Sequence, residues 1–335
     1  MDYERLIDAE SWAFIMRTGE CYPDDAVELS IEEQRAVYDA MCREFRVVRP
    51  DVVDAEDLSA DGVPVRHYCA GEPTRTVVYF HGGGFVVGGL DSHDDICAEI
   101  CAQTGYRVVA VDYRLAPEHK HPAAFEDAWT AVQWAASAYG GGLILAGDSA
   151  GANLAAAVAQ HARGKLEGIL GQVLIYGAFG GDLNQGSYIE HAYAPLLTRE
   201  DVVFYQDVRL DGPAPEGDPT YAPLAGSDFS GLPPTVLVSA DCDPIRDDSR
   251  DYRDRVIAAG GQAHWINEPG LVHGYLRARH SVARARDSFE RISLAIEALG
   301  QGLWPYDEDC RRRPKGRLTC RALPPVPGCV CSRSS

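Results

Sequence analysis

The sequence predicts an α/β fold, a mostly parallel sheet covered by helices on both faces, and three observations predict it. Six runs rich in apolar and β-branched residues, at 76–80, 107–111, 143–146, 172–176, 235–239 and 263–267, alternate with longer helical stretches. The clearest of those stretches are 122–139, 150–162, 246–259 and 282–299. Glycine-rich turns directly follow two of the strand-like runs, at 81–84 and 147–151. At 335 residues the chain can bury a large core within one domain.

The remaining elements are read in chain order. Residues 1–45 carry amphipathic helical patterns around 4–16 and 30–45, and the second opens Ser30-Ile31-Glu32-Glu33, the spacing of a capping box. Residues near 47–54 and 63–69 are expected to add antiparallel edge strands to a large domain spanning 46–303. Residues 182–222 interrupt the alternation with a helical insert containing Tyr188, Tyr193, Phe204 and Tyr205. The tail, 304–335, holds five prolines and four of the ten cysteines with little apolar periodicity, so it is expected to be disordered. Its Cys310, Cys320, Cys329 and Cys331 match no known metal or disulfide spacing.

Gly147-Asp148-Ser149-Ala150-Gly151 sits between the run 143–146 and the helical stretch from Ala150. Strand, Gly-x-Ser-x-Gly, helix is the layout of a nucleophile elbow. A serine on so tight a turn leaves no room for side chains two residues to either side, and its own backbone is strained. The turn lifts the hydroxyl clear of the sheet and sets the Ala150 amide at a helix start, where developing negative charge is stabilised. Upstream, His81-Gly82-Gly83-Gly84-Phe85 follows the run 76–80. Successive glycines let consecutive N–H groups point into one cavity, as acyl transfer through an oxyanion requires.

A nucleophilic serine needs a base, and the base needs a carboxylate to fix its tautomer. Asp241, Asp243 and Asp247 follow the strand-like run 235–239, and His264, His273 and His280 lie further on, so the order Ser, acid, His is available in several combinations. His264 falls within a strand pattern and His280 at a basic helix start.

Five segments together resemble the hormone-sensitive-lipase-like branch of the α/β-hydrolase esterases: 81–85, 112–118, 147–151, 243–248 and His273-Gly274-Tyr275. The similarity spans roughly 40–300. It implies an α/β-hydrolase fold with a helical cap, built from 1–45 and 182–222, over Ser149. It also implies a Ser149–His273–Asp243 triad, with Gly83, Gly84 and Ala150 as oxyanion donors. Two departures are small: Asp243-Pro244-Ile245-Arg246-Asp247-Asp248 replaces the family's Asp-Pro-Leu-x-Asp-Glu, and Tyr275 replaces a usual Phe. The expected activity is hydrolysis of short-chain carboxylic esters through an acyl-enzyme, with no metal and no organic cofactor. An amidase or deacetylase using the same groups, or a non-catalytic binder on the same scaffold, are the alternatives.

Other polar residues receive structural readings. Asp112 and Arg114 are expected to form an ion pair, His81 to hold the glycine loop, and Cys97 and Cys101 to be core thiols on one helix face. The formal charge of −19 divides into −23 for 1–303 and +4 for the tail. Such an acidic body disfavours nucleic acid and anionic membranes, and the partner that the resemblance implies is a small-molecule ester. The start Met1-Asp2-Tyr3-Glu4-Arg5 lacks the pattern of a signal peptide, and no run reaches transmembrane length. Six body cysteines without a disulfide framework predict a cytoplasmic protein. A homodimer is compatible with the sequence, which does not fix the oligomeric state.

Overall fold

A computed structural model describes residues 1–23 and 29–306. Its centre is an eight-stranded sheet: β1 (Asp54–Ala60), β2 (Val63–Cys69), β3 (Thr76–Phe80), β4 (Arg107–Val111), β5 (Leu143–Asp148), β6 (Ile169–Ile175), β7 (Thr235–Cys242) and β8 (Ala263–Val272). The spatial order is β1-β2-β4-β3-β5-β6-β7-β8, antiparallel at β1–β2 and β2–β4 and parallel from β4 to β8. The central strands read as continuous apolar runs because both faces are covered, and every residue of β3 and β5 is buried.

Helices α4 (Asp94–Thr104) and α10 (Ala283–Gly300) pack on one face, and α5 (Ala123–Tyr139), α6 (Ala150–Ala162) and α9 (Arg246–Ala258) on the other. Alanines 152, 155, 156, 157 and 159 let α6 lie close against the sheet. Before the sheet come α1 (Tyr3–Leu6), α2 (Ala9–Gly19) and α3 (Ile31–Phe45), and between β6 and β7 come α7 (Ser187–Glu190) and α8 (Arg199–Val208). Residues Met1–Trp304 form one unit. Arg279, 2% exposed, reaches Asp95 at 2.6 Å and Glu99 at 2.8 Å, joining α4 to the residue after the turn Tyr275–Ala278.

Several expectations need correction. The first edge strand is Asp54–Ala60 rather than 47–54. Asp61 and Gly62, at φ 49° and 98°, make the two-residue hairpin turn that fixes β1 against β2. That Asp-Gly pair is the signal that could have placed the strand. The pattern at 4–16 is two helices, because Asp8 caps α2 through the Ser11 amide and ends α1 before it. Asp112 does not pair with Arg114, which is held instead by Asp127 at 2.8 Å. The capping box at Ser30 and Glu33 forms as expected. The tail reading falls on 307–335, outside the described residues.

Candidate active site

The chain leaves β3, goes to β4 on one side and then crosses to β5 on the other. That reversal opens a crevice at the carboxyl ends of β3 and β5, where ligands of open α/β sheets bind. Phe80 pairs with Gly147 across these strands, so the loop after β3 lies beside the turn after β5.

Ser149 occupies that turn as the N-cap of α6, at φ 55° and ψ −118°. Left-handed backbone at a residue with a Cβ is strained. It is held by the Ser149 amide donating to the Ile175 carbonyl at 2.8 Å and the Asn153 amide donating to the Ser149 carbonyl at 3.2 Å. The flanking glycines answer to backbone, not flexibility. A Cβ on Gly151 would strike the Phe80 carbonyl, and one on Gly147 would meet the backbone of Gly151 and Phe80.

His273 follows the last residue of β8, and Asp243 the last residue of β7. His273 Nε2 lies 2.9 Å from Ser149 Oγ, and Nδ1 lies 2.7 Å from Asp243 Oδ2. This geometry assigns the proton to Nδ1, donated to the carboxylate, with Nε2 left to accept from the serine hydroxyl. Asp243 is fully buried, and its second oxygen accepts from the Ile245 amide at 3.0 Å. The competing acids are engaged elsewhere. Asp241 accepts from Asn267 Nδ2 at 2.8 Å and the Gly270 amide at 3.2 Å, and Asp247 pairs with Arg246 at 2.9 Å. His280 is bound to Glu99 at 2.7 Å, and His264 lies within β8.

Gly83 and Gly84 adopt φ 127° and 59°. The Gly83 carbonyl is turned away into its own loop, accepting from the Val86 and Val87 amides, each at 3.0 Å. Among the described residues nothing accepts from the amides of Gly83, Gly84 and Ala150, and all three residues border the cavity that holds Ser149 and His273. A hydroxyl, an oriented imidazole, a buried carboxylate and unoccupied amides therefore meet in one crevice.

A family model described as the alpha/beta hydrolase fold matches residues 77–277. Carboxylesterase NlhH of Mycobacterium tuberculosis is 38% identical over 297 residues, covering 84% of this chain and 83% of that protein. The chain belongs to the hormone-sensitive-lipase-like branch of the α/β hydrolases. Ethyl acetate hydrolase of Pseudomonas putida is 32% identical over 270 residues, covering 76% of the chain and 84% of its own length. The solved structure of an esterase from Pyrobaculum calidifontis matches with a TM-score of 0.75 at 31% identity, over 81% of this chain and 94% of its own.

In this α/β hydrolase, Asp148 is a junction that sequence reasoning did not find. It is buried beside Ser149 and accepts from Tyr79 Oη at 2.9 Å, the Gly82 amide at 3.0 Å and Tyr176 Oη at 3.3 Å, with His93 Nε2 at 3.2 Å. One carboxylate thus ties the elbow to the glycine loop. Burial alone would raise its pKa, but His93, Arg277 and Tyr79 hold it below the usual carboxylate range. Its position inside the Gly-x-Ser-x-Gly turn is the only signal, since the partners come from four other segments. His81 supports the same loop: Nδ1 donates to the Gly82 carbonyl at 2.8 Å, and the ring stacks on Tyr113 at 4.2 Å. Burial, reinforced by His93, pushes the His81 pKa down to about 3, so the ring is neutral. Cys97 and Cys101 are fully buried free thiols on α4.

The crevice widens into a cavity of about 420 Å³. Phe14 of α2, Tyr38 and Met41 of α3, and Leu197, Val202 and Tyr205 near α8 are among its walls. The two segments that wall it also touch, through Tyr3 Oη and His191 Nδ1 at 3.2 Å. Tyr205 stands over Gly84, where a Cβ would meet its ring. Of the other aromatics in 182–222, Tyr188 bonds to Asp248 at 3.2 Å and Tyr193 is 89% exposed. Among the described residues no helix is long and apolar enough to cross a membrane.

Proposed function

We propose that this chain is a serine carboxylesterase in which Ser149 attacks the ester carbonyl, His273 accepts its proton and Asp243 holds the imidazolium. The observation that carries the reading is the unbroken relay Asp243–His273–Ser149, at 2.7 and 2.9 Å, facing three unoccupied amides. The Gly83, Gly84 and Ala150 amides stabilise the oxyanion, each such donor contributing roughly 10²–10³ in rate. His273 returns the proton to the leaving alcohol, and the acyl group remains on Ser149. A water then enters, His273 takes its proton, and collapse of the second tetrahedral species frees the acid.

Residues 1–45 and 182–222 act as a cap whose apolar side chains exclude water from the crevice. A cavity of about 420 Å³ and the ethyl acetate hydrolase among the relatives support short-chain esters as substrates. The six described cysteines are free thiols, which supports a reducing compartment, the cytoplasm. The test is Ser149→Ala, assayed on p-nitrophenyl acetate with circular dichroism as the control. The expected result is hydrolysis at background with an unchanged spectrum; retained turnover would overturn the assignment.

A further inference from the structure

The cavity beside Ser149 carries charge that ester chemistry leaves unused. Arg209 and Arg277 both line it. Among the described residues neither has a carboxylate within the 4.0 Å of an ion pair. Arg209 is 7% exposed and lies between the Phe85 ring at 3.4 Å and the Tyr221 ring at 4.5 Å. Its guanidinium makes one long hydrogen bond, from Nη1 to the Tyr221 carbonyl at 3.5 Å. Arg277 donates to the Ser92 carbonyl at 2.9 Å and to Tyr38 Oη at 2.7 Å, both neutral acceptors.

Two other arginines screened from solvent are paired with carboxylates. Arg279 has Asp95 and Glu99, and Arg246 has Asp247 and Glu190. With 50 acidic residues against 31 basic ones, carboxylates are not scarce. The acids that do line the cavity are occupied. Asp148 attracts Arg277 from beyond ion-pair distance, but its oxygens are taken up by Tyr79, Gly82, Tyr176 and His93, and Asp201 caps α8 through the Thr198 amide and hydroxyl. Burying a cation without a counter-ion is costly. That cost is visible at Arg209, where burial pushes the pKa down to about 10.

On the reading of the chain as an ester hydrolase, we propose that Arg209 and Arg277 receive a carboxylate carried by the substrate, so that the preferred esters are anionic. Two kinds fit: a half-ester of a dicarboxylic acid, with the charge on the acyl side, and an acylated hydroxy acid, with the charge on the alcohol side. A planar guanidinium matches a carboxylate through paired N–H donors.

The test compares kcat/KM within two matched pairs: monoethyl succinate against ethyl pentanoate, and the acetate ester of γ-hydroxybutyrate against pentyl acetate. In the unmodified enzyme one pair is expected to favour its anionic member by about tenfold or more at low salt, with the preference falling as salt rises. Arg209→Gln or Arg277→Gln should lower that ratio by about tenfold, and the Lys variants should keep part of it. Ratios at or below one in both pairs overturn the proposal. So does a ratio that neither Gln variant moves, since arginines serving only as packing would change both members alike. If the variants do not fold, competitive inhibition of the unmodified enzyme decides: succinate should bind more tightly than succinamide, and equal inhibition overturns the proposal. Hydrolysis of neutral esters alone would sink the anion site and leave the esterase standing, whereas no hydrolysis of any ester would sink the esterase reading itself.

Discussion

At Ser149 a left-handed backbone, φ 55°, is maintained against its own strain by backbone hydrogen bonds to Ile175 and Asn153 and by the backbone packed against its flanking glycines. Gly151 shows how little room remains, since its missing Cβ would occupy the place of the Phe80 carbonyl. Neither a rotamer change nor a water can relieve that overlap. Gly151→Ala is therefore expected to destabilise the protein by about 4 kcal/mol or more, read as a fall in the urea midpoint. A stability within ~1 kcal/mol of the parent would show that β3 can yield there. The glycines were legible in the sequence because this constraint is local. Asp148, between Gly147 and Ser149, was not, because its four partners arrive from β3, the loop after it, the segment before α4 and the residue after β6.

At the level of elements, the proposed reacting groups all sit in loops that leave carboxyl ends of parallel strands, and each loop is braced by its own hydrogen bonds. The glycine loop depends on neutral His81, which bonds the Gly82 carbonyl and stacks on Tyr113. In an unfolded chain this histidine titrates near 6.5, while in the fold its pKa is pushed down to about 3. Between these values the unfolded chain binds a proton that the fold refuses, so the histidine's contribution is complete above pH 6.5 and lost as pH falls toward 3. His81→Asn should flatten the loss of stability between about pH 7 and about pH 4.5, measured as urea midpoints. Parallel slopes in the parent and the variant would refute the assignment. Element positions were largely readable: β3, β4 and α6 begin and end where the apolar runs and the elbow put them. β1 was misplaced because its residues are polar and mostly exposed, so a hairpin turn rather than periodicity positions it.

Over the whole molecule, the sheet carries the proposed reacting groups, and helices outside it wall the cavity beside them. Tyr205 of α8 closes the cavity over Gly84 while the N-terminal Phe14 and Tyr38 close another side. Tyr205→Ala should enlarge the cavity and move the optimum across p-nitrophenyl esters toward longer acyl chains, at a stability cost of about 1–3 kcal/mol. An unchanged chain-length profile would mean that another wall sets the limit.

The α/β fold, and Ser149 as the candidate nucleophile, were legible in the sequence alone, because alternating apolar runs and a glycine-flanked serine are consequences of neighbouring residues. Through resemblance it also singled out Asp243 and His273 from among their rivals. Only the tertiary structure decided that Asp241, Asp247 and His280 are engaged elsewhere, that Asp148 binds the elbow to the glycine loop, and that two arginines line the cavity with no carboxylate in ion-pair contact among the described residues. The physical reason is that a charged group's role is set by whatever the fold brings within a few ångströms of it, and those partners lie up to 239 residues away in the chain.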